Sequence, residues 1–289
     1  MGGIGKFPAK RPPMGRWNHQ YRAFKFAQNY LSNVKDNQRK AALIRMPTGT
    51  GKTGVKGLIA NYYPAEKNIL IVVPSHYLTL QIAEVLNYKY WFMLGKKPGV
   101  IKPVKTFLPS DLEETLQKLE GKSAVLICTN QTLALLYKNS KRKDPAPQKN
   151  KISLYELLKD SVEVVLVDEG HREPAKDWAR SIRYLFKPAI LFSATPYRND
   201  LRMFRVGRGD DYRFVFKYQE AKESGVIRDI KFVKEVENYS DHSSVEKFVN
   251  ALYEYYYGEF QRHIPKGVKG AKVIVRCDNV NSIKKIFNR

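Results

Sequence analysis

Residues 46–53 read Met-Pro-Thr-Gly-Thr-Gly-Lys-Thr, a stretch in which two glycines precede a lysine and a threonine. An apolar run at 41–44 comes before it, and residues 54–62 after it can form a helix. A strand, a glycine-rich turn and a helix in this order are the context of a phosphate-binding loop. The stretch therefore predicts phosphate chemistry at the end of a strand.

The residue types in this loop suit that chemistry. Gly49 and Gly51 allow the backbone to curl until successive amide N–H groups point at an anion. The helix that begins near Lys52 adds its positive N-terminal end. The lysine can reach β- and γ-phosphates, and the Thr53 hydroxyl can bind Mg²⁺. Because Met46 stands where the strict motif has its first glycine, an ordinary strand–helix turn is the alternative for this stretch alone.

A second stretch places two carboxylates directly after the apolar run 164–167. Asp168 can hold Mg²⁺ through its water shell, opposite Thr53. Glu169 can orient or deprotonate an attacking water molecule. Adjacent acids after a strand also serve as helix N-caps. Their occurrence together with the glycine-rich loop favours nucleotide hydrolysis over the capping interpretation.

A third stretch, Ser193-Ala194-Thr195, follows the apolar run 189–192. Short hydroxyl side chains at the end of a strand can bond to a carboxylate or to His171 nearby. They can equally form a simple turn.

The apolar runs also predict the fold. Continuous β-branched runs, such as 69–73, are typical of strands buried on both faces of a parallel sheet. Helices are expected from Asn18 to about Leu31 and from Ser75 to about Leu86, and a further strand–helix unit within 99–120. We therefore expect an α/β protein with a doubly wound, mostly parallel sheet and a site at the carboxyl ends of its strands.

Composition limits the partners. The 289 residues carry a net charge of +23, which favours a polyanionic partner, with nucleic acid before an acidic membrane surface. No apolar run approaches the ~18 residues of a membrane span, and the N-terminus lacks the apolar core of a signal peptide. The two cysteines are expected to pack as small apolar residues. These features predict an intracellular protein, cytoplasmic or nuclear.

Five stretches together resemble the first motor lobe of a superfamily-two DExH helicase or translocase, as found in restriction-enzyme motor subunits and related DEAD/DEAH-box proteins. They occur in the family's order and cover about residues 20–198. The stretches that resemble motifs I, Ia, Ib, II and III are, in turn, 48–53, 72–75 with Gln81, 128–133, 168–171 and 193–198. The resemblance implies a RecA-like lobe that binds ATP and Mg²⁺.

The resemblance also implies a role for each matching residue. Gln20 would read the adenine, and Asp168 and Thr53 would hold the metal, with Glu169 as the catalytic base. The expected phosphate-binding residues are Thr48, Gly49, Thr50, Gly51, Lys52 and Thr53. The residues expected to couple nucleotide state to nucleic-acid binding are His171, Ser193, Ala194 and Thr195. The residues expected to face nucleic-acid phosphates are Pro74, Ser75 and Thr129. Resemblance to restriction motors favours DNA over RNA.

The domain pattern departs from that family after the first lobe. We expect a flexible basic arm at 1–16, the ATP-binding lobe at 17–205, a connection at 206–240 and an incomplete second lobe at 241–289. The arginine that a second lobe would contribute is then missing, and such an arginine is worth ~10³–10⁵ in turnover. We therefore expect weak hydrolysis by this chain alone. A shortened chain, a gene fragment and completion by a partner subunit remain open.

Two other function classes fit parts of the sequence. One is a nucleic-acid-binding module without ATP turnover, which would bind DNA regardless of ATP. The other is a phosphate-loop enzyme unrelated to nucleic acid, such as a small-molecule kinase. The basic excess and the Ser193-Ala194-Thr195 stretch argue against the kinase.

Overall fold

The computed structural model describes residues 17–34, 40–93, 102–119, 121–141, 152–170, 176–195 and 206–227, together with 247, 250, 253 and 254. The chain divides into two compact units, Met1–Asp229 and Ile230–Arg289. Of the second unit, the four described residues are helical. The predicted basic arm at 1–16 falls outside the described residues.

A seven-stranded sheet forms the first unit, and every described strand pairing is parallel. Its strand order is β3-β4-β2-β5-β6-β1-β7. The strands are β1 Ala42–Arg45, β2 Asn68–Val73, β3 Val104–Thr106, β4 Val125–Thr129, β5 Val162–Val167, β6 Ala189–Ser193 and β7 Arg213–Val215. The predicted α/β class with a parallel sheet is confirmed.

Helices cover both faces of this sheet. The helices are α1 Asn18–Asn33, α2 Lys52–Tyr62, α3 His76–Glu84, α4 Tyr90–Met93, α5 Leu112–Gln117, α6 Asn130–Ser140, α7 Leu154–Ser161, α8 Lys176–Arg183 and α9 Tyr218–Glu223. Side chains of β2 alternate between two apolar cores: Ile69 and Ile71 belong to the core beneath α1 and α2, whereas Leu70 belongs to the opposite one. All six residues of β2 are buried, as a strand covered on both faces requires. None of the described helices is long and apolar enough to cross a membrane.

The region after β2 differs from the single helix expected to end near Leu86. A π-helical turn, Val85–Lys89, follows α3 and leads directly into α4. A π-helical turn inserts one extra residue and so rotates the following side chains around the helix axis. Tyr90 and Trp91 are buried as a result, and the Trp91 indole donates to the Leu86 carbonyl.

Residues 206–227, which the sequence assigns to a connection, contribute to the same compact unit as the lobe. Strand β7 pairs with β1, and the Phe216 amide donates to the Arg45 carbonyl over 2.9 Å. The Phe216 ring stacks on His19 of α1 with 4.6 Å between ring centroids. The sheet therefore extends one strand beyond the strand that carries the phosphate loop.

Asn68 joins the starts of two strands, and its removal tests how the sheet is held. Its amide nitrogen donates to the Ser161 carbonyl over 3.0 Å, and its oxygen accepts from the Ala124 amide over 2.9 Å. Asn68→Ala leaves both buried backbone groups without this partner, so we expect the free energy of unfolding to fall by about 2–3 kcal/mol in denaturant titration. Ser123→Ala removes a more exposed bond to the Lys67 carbonyl and is the matched control, with an expected loss of about 1 kcal/mol or less. Equal losses would contradict this role for Asn68.

Candidate functional site

Three neighbouring strands bring the predicted chemistry to one edge of the sheet. Strands β5, β6 and β1 lie side by side in parallel, so Asp168, Ser193 and Met46 all stand at carboxyl ends. The Met46 amide donates to the Ser193 carbonyl over 3.1 Å. The Asp168 amide donates to the Val72 carbonyl of β2 over 2.8 Å. All three strand ends are thus held by backbone hydrogen bonds to neighbouring segments.

The loop between β1 and α2 has the curled backbone that its glycines predict. Gly49 and Gly51 have φ values of 82° and 83°, in the left-handed region that L side chains rarely adopt. The Thr50 hydroxyl and amide both donate to the Pro47 carbonyl, over 2.7 and 3.4 Å. Within the described part of the chain, the amides of Gly49, Lys52 and Thr53 donate to no backbone carbonyl. These donors at a helix start are available to an anion.

Met46 stands at the first-glycine position of the strict motif, but its side chain does not enter the loop. Its side chain is fully buried in the apolar core, together with Ile44 and Val55. The left-handed residues that curl the loop come later, at Gly49 and Gly51. The departure from the strict motif therefore changes the core beneath the loop and leaves the curl itself in place.

Lys52 begins α2 and is held against the loop. Its ammonium lies 3.3 Å from the Met46 carbonyl oxygen and 3.5 Å from that of Pro47. Burial lowers the pKa of Lys52, and the negative charges of Glu169 and Asp168 partly oppose that shift. The two acids are thus near enough to act on the lysine electrostatically.

Gln20, to which the family resemblance gives the adenine-reading role, lies beside the loop. Its side-chain nitrogen donates to the Thr50 carbonyl over 3.3 Å, and the Tyr90 hydroxyl donates to its oxygen over 3.4 Å. His19 Nε2 lies 2.7 Å from the same Thr50 carbonyl. A cavity of about 310 Å³ adjoins these groups, and its lining includes Trp17 and Thr53. The start of α1 and the phosphate loop therefore form one continuous site.

Two glycines of the loop and of α2 are needed for this packing. A Cβ atom on Gly51 would lie 2.1 Å from the Gln20 amide nitrogen. A Cβ atom on Gly54 would lie 2.6 Å from both the Gln20 oxygen and the Tyr90 ring. The π-helical turn that buries Tyr90 and the small residues of α2 are thus complementary.

The acid pair follows β5 as predicted, with one partner that the sequence analysis missed. The Lys56 ammonium lies 2.8 Å from Asp168 Oδ1, and both residues are buried. Lys56 stands one helical turn after Lys52, so this spacing could have identified it as a residue on the same face of α2. Glu169 has a φ of 47°, an uncommon conformation for a residue with a side chain. Such backbone strain concentrates at functional positions.

The third stretch forms a turn, one of the two alternatives for it. The Ser193 hydroxyl accepts from the Thr195 amide over 3.1 Å and donates to the Thr195 carbonyl over 2.9 Å. Ser193 is buried, Ala194 is half-buried and Thr195 is exposed. His171 lies outside the described residues.

The residues expected to face nucleic acid stand on two adjacent strand ends. Val73 and Thr129 are register partners in β2 and β4, so Pro74 and Ser75 lie close to Thr129. The hydroxyls of Ser75 and Thr129 cap α3 and α6, accepting from the amides of Leu78 and Thr132 over 3.4 and 3.0 Å. Ser75 is exposed and Thr129 is buried. Two helix N-termini therefore lie side by side at this edge.

Comparison with known proteins gives one family match and several similar solved structures. The family model described as "Type III restriction enzyme, res subunit" matches residues 17–198. The UvsW helicase from bacteriophage T4 is 19% identical over 66% of this chain and 55% of UvsW, with a TM-score of 0.41. The Type ISP restriction-modification enzyme LlaGI is 12% identical over 91% of this chain and 25% of LlaGI, with a TM-score of 0.48. This chain thus spans about half of UvsW and a quarter of LlaGI. Comparison with curated proteins gives no match.

The lowered pKa of Lys52 predicts a pH-dependent cost in stability. The unfolded chain holds the Lys52 proton to higher pH than the folded protein does, so stability rises with pH until the unfolded lysine, near 10.5, also loses its proton. We expect Lys52→Met to be more stable than the wild-type protein at about pH 7, with a smaller difference at about pH 10. Thermal unfolding at both pH values measures this.

The matched control is Lys105→Met, which removes the same charge from an exposed position on β3. Its difference from wild type should not follow the same trend. If the Lys52→Met difference stays constant across this pH range, Lys52 carries no desolvation cost.

Proposed function

Because the chain belongs to the family of Type III restriction enzyme res subunits, we propose that its first unit is the ATP-binding motor lobe of a nucleic-acid helicase or translocase. In this proposal, hydrolysis of Mg-ATP is coupled to binding of nucleic acid. The observation that carries the proposal is the meeting of the phosphate loop and the Asp168–Glu169 pair at one sheet edge, linked through Lys56. A phosphate site with an acid pair at the same edge of the sheet is what phosphoryl transfer to water needs.

The phosphates of the nucleotide are proposed to lie on the loop at the start of α2. The amides of Gly49, Lys52 and Thr53 donate to no described backbone carbonyl and lie at the positive end of that helix. Lys52 adds a positive charge at the same place. Fixed donors in a partly buried site stabilise negative charge that develops on phosphate oxygens. The adenine is proposed to enter the cavity beside Gln20.

The donor set also suits a magnesium ion. Asp168 offers the carboxylate oxygen that Lys56 leaves uncontacted, and Thr53 offers a hydroxyl that lines the cavity. Carboxylate and hydroxyl oxygens are the ligand types that Mg²⁺ prefers, usually with several waters retained. When bound, the ion would offset charge on the phosphate oxygens.

Glu169 is proposed as the base that orients or deprotonates the attacking water. Its position directly after the metal-binding Asp168 and its strained backbone support this role. The 193–195 turn is proposed to transmit the state of the site, since the Ser193 carbonyl accepts from the Met46 amide at the start of the loop. A displacement of the loop would pull on this turn directly. His171 is proposed to take part in the same coupling.

Nucleic-acid phosphates are proposed to bind at Pro74, Ser75 and Thr129. The paired helix starts there offer backbone amides, and contacts of this kind read no sequence. Because the Thr129 hydroxyl caps α6, its contribution is expected through the backbone rather than the side chain. The net charge of +23 supports a polyanionic partner, and the restriction-motor family favours DNA over RNA.

The same charge favours a second candidate, a nucleic-acid-binding module without ATP turnover. Under both candidates, the N-termini of α3 and α6 bind nucleic acid. Under the second, the residues of the phosphate loop have no catalytic role. A partner subunit that supplies an arginine would restore turnover under the first proposal only. The two candidates are therefore separated by the effect of loop and acid variants.

Nucleotide binding and hydrolysis by point variants test the proposal. Lys52→Ala should weaken binding of a fluorescent ATP analogue by about tenfold or more, because one charge-assisted phosphate contact is lost. Glu169→Gln should keep that affinity and lower hydrolysis by about 10²–10⁴-fold, because the base is removed. Hydrolysis is measured with and without single-stranded DNA, double-stranded DNA and RNA.

Lys105→Ala is the control for loss of a lysine away from the site. It should leave nucleotide affinity unchanged. If the wild-type protein binds DNA but no nucleotide, the motor proposal is wrong and the binding module replaces it.

A further inference from the structure

Lys56 is a buried cation of α2 that has no part in the chemical steps proposed above. Its side chain is 1% exposed, and its ammonium lies 2.8 Å from Asp168 Oδ1. The contact is a close ion pair outside hydrogen-bond geometry, and no other described group accepts from this ammonium. A lysine ammonium has three N–H donors. The ion pair with Asp168 is therefore the described polar contact that offsets the desolvation cost of this buried charge.

Such an arrangement is costly for stability alone. Replacing a buried ion pair by apolar residues of similar volume is often neutral or stabilising. Val55, directly before it in α2, and Ile59, nearly one turn after it, are apolar and buried. An apolar side chain would suit position 56 equally well in packing terms. The charge at this position therefore points to a role at the site.

The path of the side chain identifies the carboxylate as its target. Lys56 belongs to α2, which follows β1, whereas Asp168 follows β5. Strand β6 separates the two, and the ammonium lies 5.7 Å from the centroid of the Phe192 ring of β6. The lysine thus spans one strand to reach the acid. Phe192 excludes water beneath the pair and adds a favourable cation–π contribution.

Lys56 changes the net charge of the site. Lys52 and Lys56 balance Asp168 and Glu169, so the four groups sum to zero. Without Lys56, the same groups would leave one negative charge beside the position proposed for the phosphates. That charge would repel a nucleotide unless a divalent cation bridged the carboxylate and the phosphates.

We propose that Lys56 is a positioning residue that holds Asp168 through Oδ1 and offsets its charge, so that nucleotide binding depends little on divalent metal. This inference rests on the proposed nucleotide function. The metal's part in hydrolysis is unaffected, because the second carboxylate oxygen stays open to it. Lys56 thus sets how strongly nucleotide affinity depends on the divalent metal.

The test compares the affinity of a fluorescent ATP analogue in Mg²⁺ and in EDTA. In the wild-type protein, we expect metal removal to weaken binding by no more than about threefold. In Lys56→Met, the same ratio should rise to about tenfold or more, mainly through weaker binding in EDTA. Lys56→Arg keeps the charge and should retain part of the wild-type behaviour.

One further variant and one measurement guard against loss of folding. Lys56→Met/Asp168→Asn removes both charges, so it should unfold at a higher temperature than Lys56→Met, because no unpaired carboxylate stays buried. Thermal unfolding without nucleotide should show that Mg²⁺ stabilises Lys56→Met and has little effect on the wild type. In the variant, the ion can bind the Asp168 carboxylate, whose charge no lysine then offsets.

The outcomes separate this inference from the proposed function. If the wild-type protein binds the analogue and loses more than about tenfold in affinity in EDTA, Lys56 does not offset the carboxylate. The same conclusion follows if folded Lys56→Met has the wild-type ratio. In both cases the nucleotide site stands. If the wild-type protein binds no analogue under either condition, the proposed function itself fails.

Discussion

The parallel pairing of β5, β6 and β1 is the constraint on which the site depends. Parallel strands end at the same edge, so the residues that follow each strand meet there regardless of their distance in sequence. The apolar runs that make these strands are buried on both faces, which fixes their register. Because that register is fixed, Asp168, Ser193 and Met46 come together without any loop having to reach across the molecule. The pairing of the strands therefore determines where the residues of the proposed site lie.

A second layer of the site comes from packing above α2. The π-helical turn rotates Tyr90 inward, Tyr90 contacts Gln20, and Gln20 donates to the Thr50 carbonyl of the loop. Only glycine at position 54 leaves room for these groups. The loop is therefore braced on the side away from the acids by a chain of side chains that contact each other directly. Its shape does not rest on its glycines alone.

The sequence predicted those parts of the fold that local pattern encodes. Continuous apolar runs identified β2 and β5, and glycine spacing identified the loop, because each feature needs only neighbouring residues. It did not predict the π-helical turn, because Gln20 and Tyr62, which contact Tyr90 and Trp91, lie far away in the sequence. Lys56 was missed for a related reason. A lysine in a helix is normally solvated, and only the tertiary position of Asp168 makes this one buried and paired.

Met46 shows why a departure from a motif need not remove the curl of its loop. In the strict pattern the first glycine precedes the curl, but here the left-handed conformations fall on Gly49 and Gly51. The Met46 side chain instead fills the core, while its amide bonds to Ser193 and its carbonyl accepts from Lys52. Three costly features belong to the same site: the buried Lys56, the desolvated Lys52 and the strained Glu169. A rigid apolar base offsets the cost of the charged groups and holds them in place, since none of them stabilises the fold by itself.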